Sequence, residues 1–287
     1  MLHIHNGYSI KEICIALKIN RSSYYKWKSR RQSNSELLNT QIKEYIKDYY
    51  EESNGVLGYR QMSIVINREK INELPHTVNI KRVRRIMRAL GLKSVIRKKR
   101  PGYIKSTPEI TAENILNRDF KATVPFEKWL TDVTEFKYYV GAEVKKLYLS
   151  AILDLYDRRI VAYKIGDSNN NELVFTTFDE AINLYPNAKP IFHSDRGFQY
   201  TNKVFHQKLV DSGMIQSMSR VGRCLDNAPM EGWWGILKSE MYYLKKFTSR
   251  EALISAIENY IQFYNTRRYQ KRLNCMTPCE YYLATVA

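Results

Sequence analysis

Apolar positions in the N-terminal part of the chain recur at three and four residues, the spacing of helices that bury one face. Ile10, Ile13, Cys14 and Leu17 make one such face, with Ser9 placed to cap it. Lys18-Ile19-Asn20 breaks the pattern. Arg21 to Lys28 then forms a second short helix, with Tyr24, Tyr25 and Trp27 among basic residues. The pair has the size of a helix-turn-helix, and equally that of a plain helical hairpin. Ser35 to Glu52 reads as an amphipathic helix through Leu38, Ile42, Tyr45, Ile46 and Tyr49. After Gly55 and Gly58, Tyr59 to Asn67 and Ile80 to Leu90 give a further helix pair. In the second of these, Ile80, Val83, Ile86, Met87 and Leu90 form the stripe, and Arg82, Arg84, Arg85 and Arg88 crowd the other faces. A charge run is ordinarily a solvated face. Four arginines with no acid between them favour contact with DNA.

From Leu92 to Thr107 apolar density is low, with a Lys/Arg cluster at Arg97 to Arg100 before Pro101-Gly102, which reads as an extended basic linker. From Trp129 the period changes to two. WLTDVTEFKYYV alternates, and Lys146 to Leu155 and Arg159 to Ile165 follow as strands around the Tyr156-Asp157-Arg158 turn, an antiparallel meander. Then come a helix over Glu172 to Leu184, a strand over Lys189 to His193, a helix over Lys203 to Ser212 and a strand over Met214 to Ser219. A loop from Arg220 to Leu225 leads to a helix opened by Asp226-Asn227-Ala228-Pro229, a start signal with a capping residue and an early Pro. The order βββαβαβα predicts an α/β layered domain, a mixed sheet with helices on its faces. The expected divisions are a helical segment at 1–52, a helix-turn-helix-like DNA-binding region at 53–94, the basic linker at 95–122 and the α/β core with a helical tail at 123–287.

Charge narrows the partner. Lys and Arg number 46 against 29 Asp and Glu, a net +17, which fits a partner of polyanions, nucleic acid first. A membrane-surface protein would want a basic amphipathic helix or a lipidation signal, and the sequence offers neither. The opening MLHIHNGYSIKEIC lacks the regions of a signal peptide, and no apolar run nears the roughly 18 residues that span a bilayer. The expected compartment is the cytoplasm. Cys14, Cys224, Cys275 and Cys279 are scattered; reduced thiols fit better than a zinc site, because no second ligand pair accompanies Cys275 and Cys279.

Candidate chemistry gathers on acids. Asp195 follows the apolar run Pro190-Ile191-Phe192 and precedes Arg196-Gly197, at a strand end. Glu231 stands in the first turn of the helix whose stripe is Met230, Trp233, Trp234, Leu237 and Met241, with Lys238 seven residues on and on about the same face. Singly, each acid is more readily a turn cap or a solvated surface residue. Asp132 shifts that weighting: it lies within a strand among packing positions, where an ionised carboxylate is costly unless paired. Acids held close resolve their repulsion by sharing a proton or binding a cation. No Ser-His-Asp or Cys-His arrangement competes, and His193 reads as a structural or supporting histidine.

WLTDVTEF, HSDRGFQYTN and Asp226-Asn227-Ala228-Pro229-Met230-Glu231 with Lys238 closely resemble the integrase core of bacterial insertion-sequence transposases, the OrfB type of the insertion-sequence-three family, related to retroviral integrases. The family separates its second Asp and its Glu by 35 residues, as Asp195 and Glu231 are separated here. Gly58-Tyr59-Arg60 with Lys81 to Met87 resembles its upstream helix-turn-helix, and YNTRRYQKRLNCMTPCEYY resembles its tail, although many relatives carry Arg-Pro-His where this chain has Arg268-Tyr269-Gln270. The resemblance implies an RNase-H-like mixed five-stranded sheet with flanking helices, preceded by the helix-turn-helix-like N-terminal region. It implies that Asp132, Asp195 and Glu231 are catalytic and bind two Mg²⁺ ions, with Mn²⁺ able to substitute. The implied reaction cuts the 3′ ends of an insertion sequence and joins them to new DNA by metal-dependent transesterification. Lys238, Arg220 and Arg223 would contact DNA there, and Arg82, Arg84, Arg85 and Arg88 upstream. The implied partners are double-stranded DNA (element ends and target), further copies of the chain on that DNA, and an OrfA product supplied as a partner or by fusion. An accessory DNA-binding subunit with an idle integrase fold is the alternative, and a simple RNase H-type nuclease is a weaker one.

Overall fold

The computed structural model describes residues 9–96, 113–220 and 224–286. The Arg97–Arg100 cluster, most of the expected linker and Arg223 lie outside the described residues. Two short helices come first, α1 (Ile10–Ala16) and α2 (Arg21–Lys28). Ser9 and Glu12 close a reciprocal capping box on α1, and Asn20 caps α2 through the Ser22 N–H. A second capping box, Ser33 with Glu36, opens α3 (Asn34–Glu52), and α4 (Tyr59–Glu69) and α5 (Ile80–Ala89) follow. Leu38, Ile42 and Ile46 of α3, Met62 and Ile66 of α4, and Val83, Ile86 and Met87 of α5 share one core. That core joins the helix expected to end the first segment to the pair expected to form the second.

The sheet holds five strands: β1 (Lys128–Val140), β2 (Glu143–Asp154), β3 (Ile160–Gly166), β4 (Ile191–Ser194) and β5 (Ile215–Met218), in the order β3-β2-β1-β4-β5. The first three pair antiparallel, as the predicted meander requires; β4 joins β1 and β5 joins β4 in parallel. β2 starts at Glu143, three residues before its predicted start, because Gly141 at φ +60° closes a tight hairpin that lets pairing run to Val140 and Glu143. The helices α6 (Asn171–Leu184) and α7 (Lys203–Asp211) supply the crossovers into β4 and β5.

Alternation along β1 sorts its side chains between two cores. Trp129 belongs to the core that α6 and α7 cover, with Phe178, Phe192 and Phe205. Leu130 and Phe136 belong to the other core, with Trp233, Trp234 and Leu237 of α8 (Ala228–Glu240) and Leu253, Ile257 and Ile261 of α9 (Arg250–Thr266). Asp132 shares the parity of Leu130 and Phe136, which puts it on the α8 face. The chain ends in α10 (Pro278–Val286), whose Tyr282 ring lies 3.5 Å from the guanidinium of buried Arg159. Polar contacts tie the N-terminal helices to this tail: Gln61 Nε2 donates to Tyr269 O at 3.0 Å, and Arg68 pairs with Glu280 at 2.8 Å. Among the described residues no helix is long and apolar enough to cross a membrane.

Candidate active site

Asp132 stands mid-strand on β1, opposite the small Ala151 of β2. Both of its oxygens are occupied: Oδ1 accepts the Val133 N–H at 2.8 Å and Oδ2 accepts the indole N–H of Trp234 at 3.0 Å. Asp195 lies one residue beyond β4. Leu130 pairs with His193 in the parallel register, so extending that register by two residues sets Asp195 beside Asp132. The Asp195 carboxylate turns the chain by accepting the Gly197 N–H at 2.8 Å. A Cβ at Gly197 would stand 3.0 Å from that oxygen and 2.9 Å from Gln199 Oε1, so any larger residue here would have to displace those two side-chain ends.

The electrostatics record the crowding. Burial raises the Asp132 carboxyl to about 7, helped by the negative charge of Asp195 and, more weakly, of Glu231, against its two hydrogen bonds. Asp195 is raised too, by the protein that replaces its hydration, although the residue keeps an exposed rim. Glu231 occupies the first turn of α8, as expected, and is exposed. Partial burial alone raises it. Asp132 and Asp195 are thus the close pair, with Glu231 further off. Among the described residues no group of three or more His, Cys, Asp and Glu side chains is gathered closely enough to hold a metal ion. The donor set nonetheless suits a hard cation, whose charge would relieve the repulsion that Asp195 imposes on Asp132.

Three donors from α8 and its entry stitch that helix to β1 around Asp132. Asn227 Nδ2 reaches Thr131 O at 3.2 Å, Trp234 reaches Asp132, and Lys238 Nζ reaches Thr134 Oγ1 at 2.6 Å while lying 5.2 Å from the centroid of Phe136. Lys238 is half-buried in this seam.

The start signal ahead of α8 holds two candidate caps, and neither side chain caps the helix. Asn227 is the residue at the N-cap of α8, and it makes no side-chain cap hydrogen bond. Asp226 is instead buried and accepts from Arg220 Nε at 2.9 Å, Arg220 Nη2 at 3.1 Å, Arg118 Nε at 2.6 Å and Asn114 Nδ2 at 2.9 Å. Two guanidinium groups offer a carboxylate more than one helical N–H does. Arg220, expected at DNA, therefore anchors the loop before α8, with its side chain 46% exposed. His193 is buried, its Nδ1 2.9 Å from Ser217 Oγ and its Nε2 3.2 Å from Ser219 Oγ, so it ties β4 to β5 in a structural role. On α5, Arg84, Arg85 and Arg88 are exposed, Arg84 sits over the Tyr59 ring, and Arg82 donates to Ser35 Oγ at 2.9 Å.

Sequence reasoning did not find Trp234, Asn227, Thr134 and Arg118 as supports of the site. The Trp233-Trp234 pair reads as packing, and no spacing shows which indole N–H meets an acid.

The order β3-β2-β1-β4-β5, with helices on both faces of the mixed sheet, is that of an integrase-type core of RNase-H-like fold. The model of the Integrase core domain matches residues 122–224 and a second Integrase core domain model matches 231–285, while an HTH-like domain matches 38–100. Over 275 residues the chain is 38% identical to InsK of insertion sequence element IS150 from Escherichia coli (strain K12), covering 96% of this chain and 93% of that protein. It is 31% identical over 255 residues to the transposase for insertion sequence element IS904 of Lactococcus lactis, covering 88% of this chain and 97% of that one. The HTLV-2 integrase catalytic core domain, solved in complex with magnesium in a dimeric form, aligns with a TM-score of 0.44 at 19% identity, over 56% of this chain and 99% of that one. The chain belongs to the insertion-sequence transposases that carry an integrase core and an HTH-like domain.

Proposed function

We propose that Asp132, Asp195 and Glu231 form the catalytic carboxylate set of a DDE-type transposase. It would cut the 3′ ends of an insertion sequence and join them to target DNA. The observation that carries this reading is a half-buried carboxylate in the middle of the central strand, crowded by a second one, a costly placement of the kind that gathers at functional sites. The three acids would hold two Mg²⁺ ions, with Mn²⁺ able to substitute. Bound there, the ions supply Lewis-acid activation of the attacking oxygen and neutralise charge on the leaving oxygen of an in-line displacement. The chain's own part is to orient. β1 and β4 fix Asp132 and Asp195, and Glu231, on a flexible side chain at a helix start, completes the set when cation and DNA are present. No covalent link between protein and DNA is required.

Arg84, Arg85 and Arg88, with Arg82, would take phosphates along α5 within the DNA-binding region at 53–94. The helical segment 1–52 would precede that region, and the basic linker at 95–122 would join it to the core at 123–287. Near the scissile phosphate, Lys238, Arg220 and Arg223 would supply positive charge. The working form would be several copies of the chain on double-stranded DNA, with an upstream OrfA product as partner or fusion, in the cytoplasm at the nucleoid. The test is a strand-transfer assay on element ends with Mg²⁺. Joined product from the wild-type chain supports the reading, whereas specific end binding with no Mg²⁺-dependent product would leave an accessory DNA-binding protein.

A further inference from the structure

Asp132 and Trp234 lie 102 residues apart in sequence, yet the indole N–H aims at the carboxylate from the helix that also carries Glu231. Trp234 is 6% exposed, and its ring lies 4.5 Å from that of Trp233, which is 2% exposed and packs in turn on Tyr264. A ring so enclosed has one rotamer and one donor direction. With the Val133 N–H on the other oxygen, the carboxylate of Asp132 is fixed in rotation, and each oxygen keeps a lone pair. Trp233, on the same turn, serves as the internal contrast: its Nε1 is buried and finds no hydrogen-bond partner among the described residues.

We propose that Trp234 is a positioning residue for the transposition reaction, holding Asp132 by its indole N–H in the orientation that accepts a divalent cation and coupling it to the helix that presents Glu231. This inference rests on the carboxylate reading above. Groups that hydrogen-bond a metal-binding carboxylate orient it, and losing one typically costs about 10- to 100-fold in metal affinity or activity. The donor acts before any DNA arrives, so the effect belongs to the protein's own cation binding.

The experiment compares the full-length chain with Trp234→Phe, Trp233→Phe and Asp132→Asn. The Mg²⁺ concentration for half-maximal thermal stabilisation is read without DNA, and that for half-maximal strand transfer is read with it. Both tryptophan variants should lower the melting temperature, because each shrinks a buried ring. Only Trp234→Phe should raise the half-saturating Mg²⁺, by about tenfold, in both readouts. Where Trp234→Phe fails to fold, benzothienylalanine at 234 keeps the fused rings, lacks the N–H and should show the same rise. Half-saturation at the wild-type value in the Phe or benzothienyl protein, or an equal rise in Trp233→Phe, overturns the inference. A wild-type chain that responds to Mg²⁺ no more than Asp132→Asn overturns the carboxylate reading itself, and this inference with it.

Discussion

Arg220 grips Asp226 through a forked pair, Nε on Oδ2 at 2.9 Å and Nη2 on Oδ1 at 3.1 Å, and so pins the loop that delivers the chain into α8. The two ends of the pair differ in exposure: Arg220 keeps 46% of its side chain in solvent, and Asp226 keeps none. Removing the charge of the buried acid weakens the charge-assisted hydrogen bonds of two half-exposed guanidinium groups and of Asn114, so Asp226→Asn should cost about 3 kcal/mol. Arg220→Ala leaves Arg118 and Asn114 on the acid and should cost about 1–2 kcal/mol. Urea-denaturation midpoints rank the two variants, and equal or reversed costs would count against this account. The pH dependence has a definite sign. The Arg220 side chain foremost, helped by Arg118, holds the Asp226 carboxyl well below the usual carboxylate range. Its stabilisation is therefore present above about pH 4 and is lost as the pH falls below that value. The stability gap between wild type and Asp226→Asn should narrow from pH 5 to pH 2.

Each of Asp132→Asn, Asp195→Asn and Glu231→Gln should lower strand transfer at least ~100-fold, since groups one shell further from a metal already cost 10- to 100-fold. Binding to element-end DNA should stay within about twofold of wild type, because the exposed arginines of α5 are untouched. Gel-shift and strand-transfer assays on the same preparations decide it, and ordinary product from any one variant with Mg²⁺ present would end the assignment for that residue.

The sheet was legible because its signal is local. WLTDVTEFKYYV alternates in sequence, and β1 alternates in space between the core holding Trp129 and the core holding Leu130. Asp132 could be singled out as a carboxylate at a packing position, and its parity with Leu130 and Phe136 was already in the sequence. Which helix would cover that face was not. The pairing of Trp234 with Asp132 spans 102 residues and that of Arg118 with Asp226 spans 108, and no periodicity encodes contacts of that range. The start of α8 shows the same limit: the signal Asp226 to Pro229 marks where the helix begins, but not that Asp226 would turn to arginines brought in by the fold. The packing of α9 and α10 was equally hidden, because the tail's aromatic residues do not reveal which of them would meet Arg159.

Arg84 and Arg85 are exposed on α5 and make no ion pair among the described contacts, so replacing both by Ala should spare the fold. If each meets a phosphate, the double variant should bind end DNA more weakly, and the slope of log affinity against log salt should flatten by about 1.8, close to 0.9 for each lost contact. An unchanged slope would return this helix face to ordinary solvation.

Arg268 should prove a clamp on the far end of α8. It meets Glu240 in a bidentate pair, Nε on Oε2 at 2.9 Å and Nη2 on Oε1 at 2.7 Å, and Tyr260 donates to the same carboxylate at 2.8 Å. The two side chains are only 14% and 9% exposed, so neither charge can turn to water when the other is removed. Arg268→Ala should therefore cost about 3–5 kcal/mol, and Arg268→Lys should recover only part of it, since an ammonium cannot match the fork. Replacing both partners with apolar residues, Arg268→Met with Glu240→Leu, removes the stranded charge and should restore most of the loss. A double-mutant cycle on denaturation free energies reads the coupling, expected in the upper part of the 0.5–3 kcal/mol range typical of contacting residues. Additive costs for the two single variants would mean that the tail packs against α8 without the ion pair holding it there.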